Sequence, residues 1–230
     1  MILLLISLFI SAKEPVRIAV IDSGFELEHI NKIPLCDKSW NKSYIDKTIN
    51  DTIGHGTNIV GLIHKEAINQ DHCFIILKAV PGNYLHTKKA FDDAIKYKAN
   101  IINYSAGGYE KTYSTDERKT IYEALKQGIT IVNAAGNNNR YIGNNNSCIW
   151  FPGCYSNKII MIGNIGSNTN YGPRIDYIIN GNNLTAFNIT SSGTSQSAAV
   201  FTGMYVNNCF KTKATWKFCK KAGKNEPKRN

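Results

Sequence analysis

Val16-Arg17-Ile18-Ala19-Val20-Ile21-Asp22-Ser23-Gly24 is the stretch on which the fold turns. Apart from Arg17, its first six residues are apolar and mostly β-branched, without the polar alternation of a strand that has one wet face. That pattern marks a strand covered on both sides, as in a parallel sheet flanked by helices. The run closes on a carboxylate and a glycine. Open α/β sheets build their sites at the carboxyl ends of their strands, and Gly24 permits the turn that follows. An aspartate in this place is also a common cap or turn residue, so Asp22 acquires a chemical meaning only through partners elsewhere.

Outward from this strand the chain alternates strand and helix. Apolar runs at 73–80, 101–105, 129–135, 159–162 and 175–179 read as further strands. Helical spacing begins at His55 and recurs over 87–98, over 115–127 and from 195 to about 208. Thr115 or Asp116 is expected to cap the third of these helices and Gly128 to terminate it. Residues 25–53 are polar and irregular, and read as loops with short pieces of structure. Alternation of this kind predicts βαβ units with right-handed crossovers: an α/β fold with a mainly parallel central sheet and helices on both faces.

With 230 residues, 43% hydrophobic and 19% charged, the chain has the size and balance of one globular domain, expected over 13–210. Residues 1–12 read as a signal peptide: 2–10 are apolar except for Ser7, and the small pair Ser11-Ala12 follows. The run is too short to span a bilayer, so a secreted protein with no stable membrane span is expected. The net charge of +10 is concentrated in the tail 211–230, where eight Lys or Arg face only Glu226, a net of +7. A solvated basic tail is the expectation, and no nucleic-acid partner is, since Trp216 and Phe218 alone do not make a stacking platform. A monomer is expected.

Six cysteines and no C-x-x-C suit disulfides in an oxidising compartment better than a metal site, with free buried thiols as the alternative. Short loops close at low entropic cost, which favours Cys148–Cys154 and Cys209–Cys219 and leaves Cys36–Cys73.

The partners that Asp22 needs are two. Gly54-His55-Gly56-Thr57 places a histidine between glycines at the start of a helix, and Ser192-Gly193-Thr194-Ser195-Gln196-Ser197-Ala198-Ala199 carries a serine into another. A serine hydroxyl becomes a nucleophile when an oriented base takes its proton. His29, His64, His72 and His86 lack a comparable setting and are assigned no role. The chain order Asp, His, Ser is that of the subtilisin arrangement among the known triad orders.

The blocks V-I-D-S-G (20–24), G-H-G-T (54–57) and G-T-S (193–195) resemble the signature blocks of subtilisin-like serine proteases. Asn103-Tyr104-Ser105-Ala106-Gly107-Gly108 resembles that family's substrate-binding strand, and Ala134-Ala135-Gly136-Asn137 its oxyanion block. The resemblance implies a three-layer α/β sandwich and a secreted endopeptidase acting on proteins or peptides. In it Ser195 would be the nucleophile, His55 the base, Asp22 the group that orients His55, and Asn137 the oxyanion donor. Ser105, Ala106 and Gly107 would pair with an extended substrate backbone. The chemistry needs no cofactor, and whether a structural calcium is bound is left open; Asn144-Asn145-Asn146 lacks the carboxylates of a strong calcium loop.

Three features depart from the family pattern. Ala199 stands where a proline is usual, Asn58 where a histidine often follows the base, and Asp22 lies only ten residues beyond Ala12, which leaves no room there for a pro-segment. A binding protein that keeps the fold without activity is the alternative, although Asp22, His55, Ser195 and Asn137 are all present. An esterase is disfavoured, because 193–197 lacks the second glycine of G-x-S-x-G and the triad order differs.

Overall fold

A computed structural model describes residues 14–109, 114–166 and 168–208, with the backbone of 228–229. The expected signal peptide, the Cys209–Cys219 pair and nearly all of the basic tail lie outside the described residues.

The strands are β1 (Val16–Asp22), β2 (Lys42–Ser43), β3 (His72–Lys78), β4 (Ile101–Tyr104), β5 (Thr130–Ala134), β6 (Ile160–Asn164), β7 (Tyr177–Ile179), β8 (Leu184–Ala186), β9 (Ile189–Ser191) and β10 (Lys228–Arg229). Eight of them form one sheet in the order β10-β7-β6-β5-β4-β1-β3-β2, and every pair is parallel except β10 with β7. The helices are α1 (His55–Glu66), α2 (Tyr84–Lys96), α3 (Thr115–Lys126) and α4 (Thr194–Val206).

Covering on both faces follows from the pleat of β1. Successive side chains of a strand point to opposite faces. Ile18 and Val20 enter the core built with α1 and α4, whereas Ala19 and Ile21 enter the core built with α2 and α3. All four are buried, which is why the strand carries no polar alternation. Every residue of α4 except Tyr205 is buried, so this helix is a core element and not an amphipathic surface one. It crosses α1 closely: a Cβ on Gly203 would stand 2.5 Å from Glu66 Cβ and 2.7 Å from the Ile63 carbonyl oxygen.

Several element limits differ from the sequence expectation. α2 begins at Tyr84 because Asn83 caps it, accepting from the N–H groups of Leu85 and His86 while His86 accepts from the Asn83 N–H. The cap of α3 is Ser114, whose Oγ accepts from Glu117 N at 3.3 Å, and not Thr115 or Asp116. β7 starts at Tyr177 rather than at 175. The β8–β9 hairpin was not anticipated. Its two-residue turn is Phe187-Asn188, both at positive φ, and a phenylalanine there hides the Asn-Gly type of signal by which such turns are read. Cys36–Cys73 and Cys148–Cys154 are disulfide-bonded, with Cα–Cα distances of 4.8 and 5.5 Å.

Candidate active site

Asp22 is the last residue of β1 and is 1% exposed. Its Oδ1 accepts from Ser23 N and meets His55 Nδ1, both at 2.7 Å. A carboxylate can only accept, so the proton of this contact sits on Nδ1, and the lone pair of Nε2 remains available. Oδ2 of Asp22 is buried with no hydrogen-bond partner among the described residues.

His55 opens α1, and its position is set by backbone contacts on both sides. Gly56 N donates to Ser23 Oγ at 2.8 Å, joining the start of α1 to the end of β1. Gly54, the residue before the helix, has no side chain with which to cap it; Asp51 does so instead. Its Oδ1 accepts from the N–H groups of Ile53 and Gly54, and its Oδ2 from Thr57 N and Thr57 Oγ1, all at 2.9 Å. Burial raises the Asp51 pKa, and the bonds from Thr57, Ile53 and Gly54 outweigh it, so the group is held below its ordinary value as a carboxylate. Burial lowers the His55 pKa, but the charge and hydrogen bond of Asp22, with the charge of Asp51, carry it above the ordinary histidine value.

Ser195 lies in the first turn of α4, 8% exposed, where the helix N-terminus favours developing negative charge. Its hydroxyl donates to the Ser105 carbonyl oxygen at 2.9 Å and makes no hydrogen bond to His55. Ser105 returns the contact, its hydroxyl donating to Ser195 O at 3.3 Å and to Asn103 Oδ1 at 2.8 Å. Ser105, Ala106 and Gly107 continue β4 as an irregular segment, steadied from beneath by Asn133, whose side-chain amide donates to the carbonyls of Tyr104 and Ala106 at 2.8 Å. Asn137, exposed just past β5, accepts from Thr194 N at 2.9 Å through Oδ1. That bond fixes its amide beside the amino end of α4, with Nδ2 making no hydrogen bond to the described residues.

Asn58 joins these pieces. It is fully buried, its amide donates to Ile189 O at 2.7 Å and to Leu184 O at 3.3 Å, and its Oδ1 accepts from Gln196 Nε2 at 3.1 Å. Asn58 is one turn after His55 and Gln196 is next to Ser195, so this bond sets the first turns of α1 and α4 side by side. The sequence-predicted residues Asp22, His55, Ser195, Asn137 and Ser105 therefore converge at the carboxyl edge of the sheet. Asp51 and Asn58 were missed as parts of it. Asp51 was findable as an N-terminal cap just ahead of the helix, whereas the contacts of Asn58 are to residues far along the chain.

A family model described as "Subtilase family" matches residues 13–209. Among curated proteins, the chain is 26% identical to Subtilisin NAT of Bacillus subtilis subsp. natto over 215 residues, covering 80% of this chain and 53% of that one. It is 29% identical to Subtilisin-like protease 3 of Plasmodium falciparum, covering 76% of this chain and 27% of the relative. The chain thus spans about half the length, or less, of these curated relatives. Among solved structures, a lanthipeptide protease superposes with a TM-score of 0.70 at 20% identity, covering 89% of this chain and 77% of that one, a likeness of fold. With the family model matched over most of its length, the chain belongs to the subtilase family.

Proposed function

We propose that the protein is a secreted serine endopeptidase that cleaves proteins or peptides through an acyl-enzyme. The observation that carries this reading is the 2.7 Å contact of Asp22 with His55 at a sheet edge where the helix of Ser195 also begins. Membership of the subtilase family supports it.

In the proposed reaction Ser195 Oγ attacks the carbonyl carbon of the scissile bond while its proton passes to His55 Nε2. Asp22 keeps the ring in the tautomer that leaves Nε2 free and stabilises the imidazolium that forms. The carbonyl oxygen becomes an oxyanion, with Asn137 Nδ2 and the Ser195 backbone N–H as its donors. The C–N bond then breaks, His55 returns the proton to the departing amine, and the acyl group stays on Ser195. Water repeats the sequence with His55 again as base, releasing the acid. The step uses side chains and backbone alone. Ser105, Ala106 and Gly107 would align an extended substrate by strand addition. Secretion rests on the apolar segment at 2–10 and on the disulfides Cys36–Cys73 and Cys148–Cys154, which suit an oxidising compartment.

Casein hydrolysis by the protein collected from the culture medium tests this reading. The wild type is expected to cleave, and Ser195→Ala and His55→Ala to be inert. Cleavage that persists in Ser195→Ala overturns the nucleophile, and a folded but inert wild type favours a binding protein that keeps the fold.

A further inference from the structure

A cleft of about 340 Å³ opens beside Gly107 and Gly108, at the far end of the segment from Ser105. Its walls include the aromatic rings of Tyr84, Tyr104 and Phe151, and a carboxylate, Glu117, also lines it. Glu117 is only 5% exposed. Among the described residues its carboxylate has one hydrogen bond, accepted from Tyr155 Oη at 2.8 Å, and no ion pair with a Lys or Arg. A buried carboxylate without a cation is costly, and burial pushes this one up to about 7 despite the bond from Tyr155.

Aromatic walls with a carboxylate among them match a side chain that has an apolar stem and a cationic head. We infer that Glu117 makes this cleft a specificity subsite for a lysine or arginine of the substrate. The inference rests on the endopeptidase reading above. An extended substrate rises about 3.3 Å per residue. If its backbone runs antiparallel to Ser105–Gly107 with the scissile carbonyl at Ser195, the residue that reaches the cleft lies roughly two to four positions to the amino-terminal side of the cut. The methylenes would lie against Tyr84, Tyr104 and Phe151, and the cation would supply the ion-pair partner that Glu117 lacks among the described residues.

Fluorogenic peptides varied one position at a time over the four residues before the cut, with Lys, Arg, Leu, Gln or Glu at each, test this at pH 8. One position should favour Lys or Arg over Leu by roughly tenfold or more in kcat/KM, the size of a charge-assisted hydrogen bond in a buried setting. In Glu117→Gln the Lys-to-Leu ratio at that position should fall toward one, and in Glu117→Asp, which keeps the charge, it should stay above one. Thermal melting of each variant establishes that it is folded. No basic preference in the wild type overturns the inference without reference to any variant. A preference that survives in Glu117→Gln, or one for Gln in place of Lys and Arg, overturns it as well. Cleavage without basic preference removes this inference and leaves the endopeptidase reading intact, whereas a folded wild type that cleaves nothing removes both.

Discussion

The hydroxyl of Ser195 donates to the carbonyl oxygen of Ser105 at 2.9 Å, so the group proposed as nucleophile is held by the segment proposed to receive the substrate. An arriving backbone N–H that takes this carbonyl would release the hydroxyl toward His55. Peptidyl phosphonate inhibitors should therefore inactivate faster at saturation than the same compounds N-methylated at the residue next to the phosphorus. Inactivation rates measured against inhibitor concentration check this: the N-methyl group should lower the limiting rate as well as weaken binding. A change in binding alone would show that the contact has no bearing on reactivity.

The base must be neutral to accept a proton, so activity should rise with pH through the pKa of His55. Burial lowers that pKa, and Asp22 with the charge of Asp51 more than restores it, which puts the acid limb of kcat/KM above the ordinary histidine value of about 6.5. In Asp22→Asn the larger raising contribution is lost while burial and the charge of Asp51 remain, so the limb should move to lower pH. Turnover should fall by roughly 10⁴-fold as the tautomer is released. A pH–rate profile of both proteins decides the sign.

Asn137→Ala should reduce kcat by about 10² to 10³ with little change in KM, a magnitude taken from the equivalent donor in a subtilisin and not from this chain. Steady-state kinetics on one peptide substrate separates the two parameters.

Asn58 ties α1 to the β8–β9 hairpin and to Gln196. Asn58→Ala strands buried partners and should cost about 1–3 kcal/mol, or several degrees of Tm in a domain of this size. Because the same bonds align the first turns of α1 and α4, kcat should fall as well. Calorimetry and kinetics on the purified variant measure both.

His72 Nδ1 donates to Gln70 O at 2.7 Å, so His72 Nε2 is left to accept from His64 Nδ1 at 2.9 Å. Burial, and then the charge of His72, hold His64 below its ordinary pKa. A depressed histidine favours the folded state above its unfolded pKa of about 6.5, and that contribution is lost as pH falls through the folded value. Melting temperatures between pH 7.5 and pH 5 should accordingly fall more steeply for the wild type than for His64→Gln.

Where a residue's neighbours were written close by in the chain, the sequence could be read. β1 announced itself by being apolar on both faces, because its alternate residues feed two separate cores, and the strand–helix alternation then required a parallel sheet. Asp22, His55 and Ser195 stood at the ends and starts of elements, which is where the fold brings chemistry together. Asn58 was legible only as a departure from a pattern, since its role is fixed by carbonyls about 130 residues away. Glu117 lies in the first turn of α3 and carried no signal of its own in the sequence; its burial beside Gly107 depends on the path of residues 151–155, which local spacing does not encode. The β8–β9 hairpin stayed hidden because its turn uses Phe187-Asn188 and its strands are three residues long.

The most direct test of the account is where a fluorophosphonate attaches. Labelling of the purified protein followed by peptide mapping should place a single phosphonylated residue at Ser195, with labelling slowed severely in His55→Ala and absent in Ser195→Ala. A folded protein that takes no label, or one labelled at another serine while Ser195 stays unmodified, would contradict it.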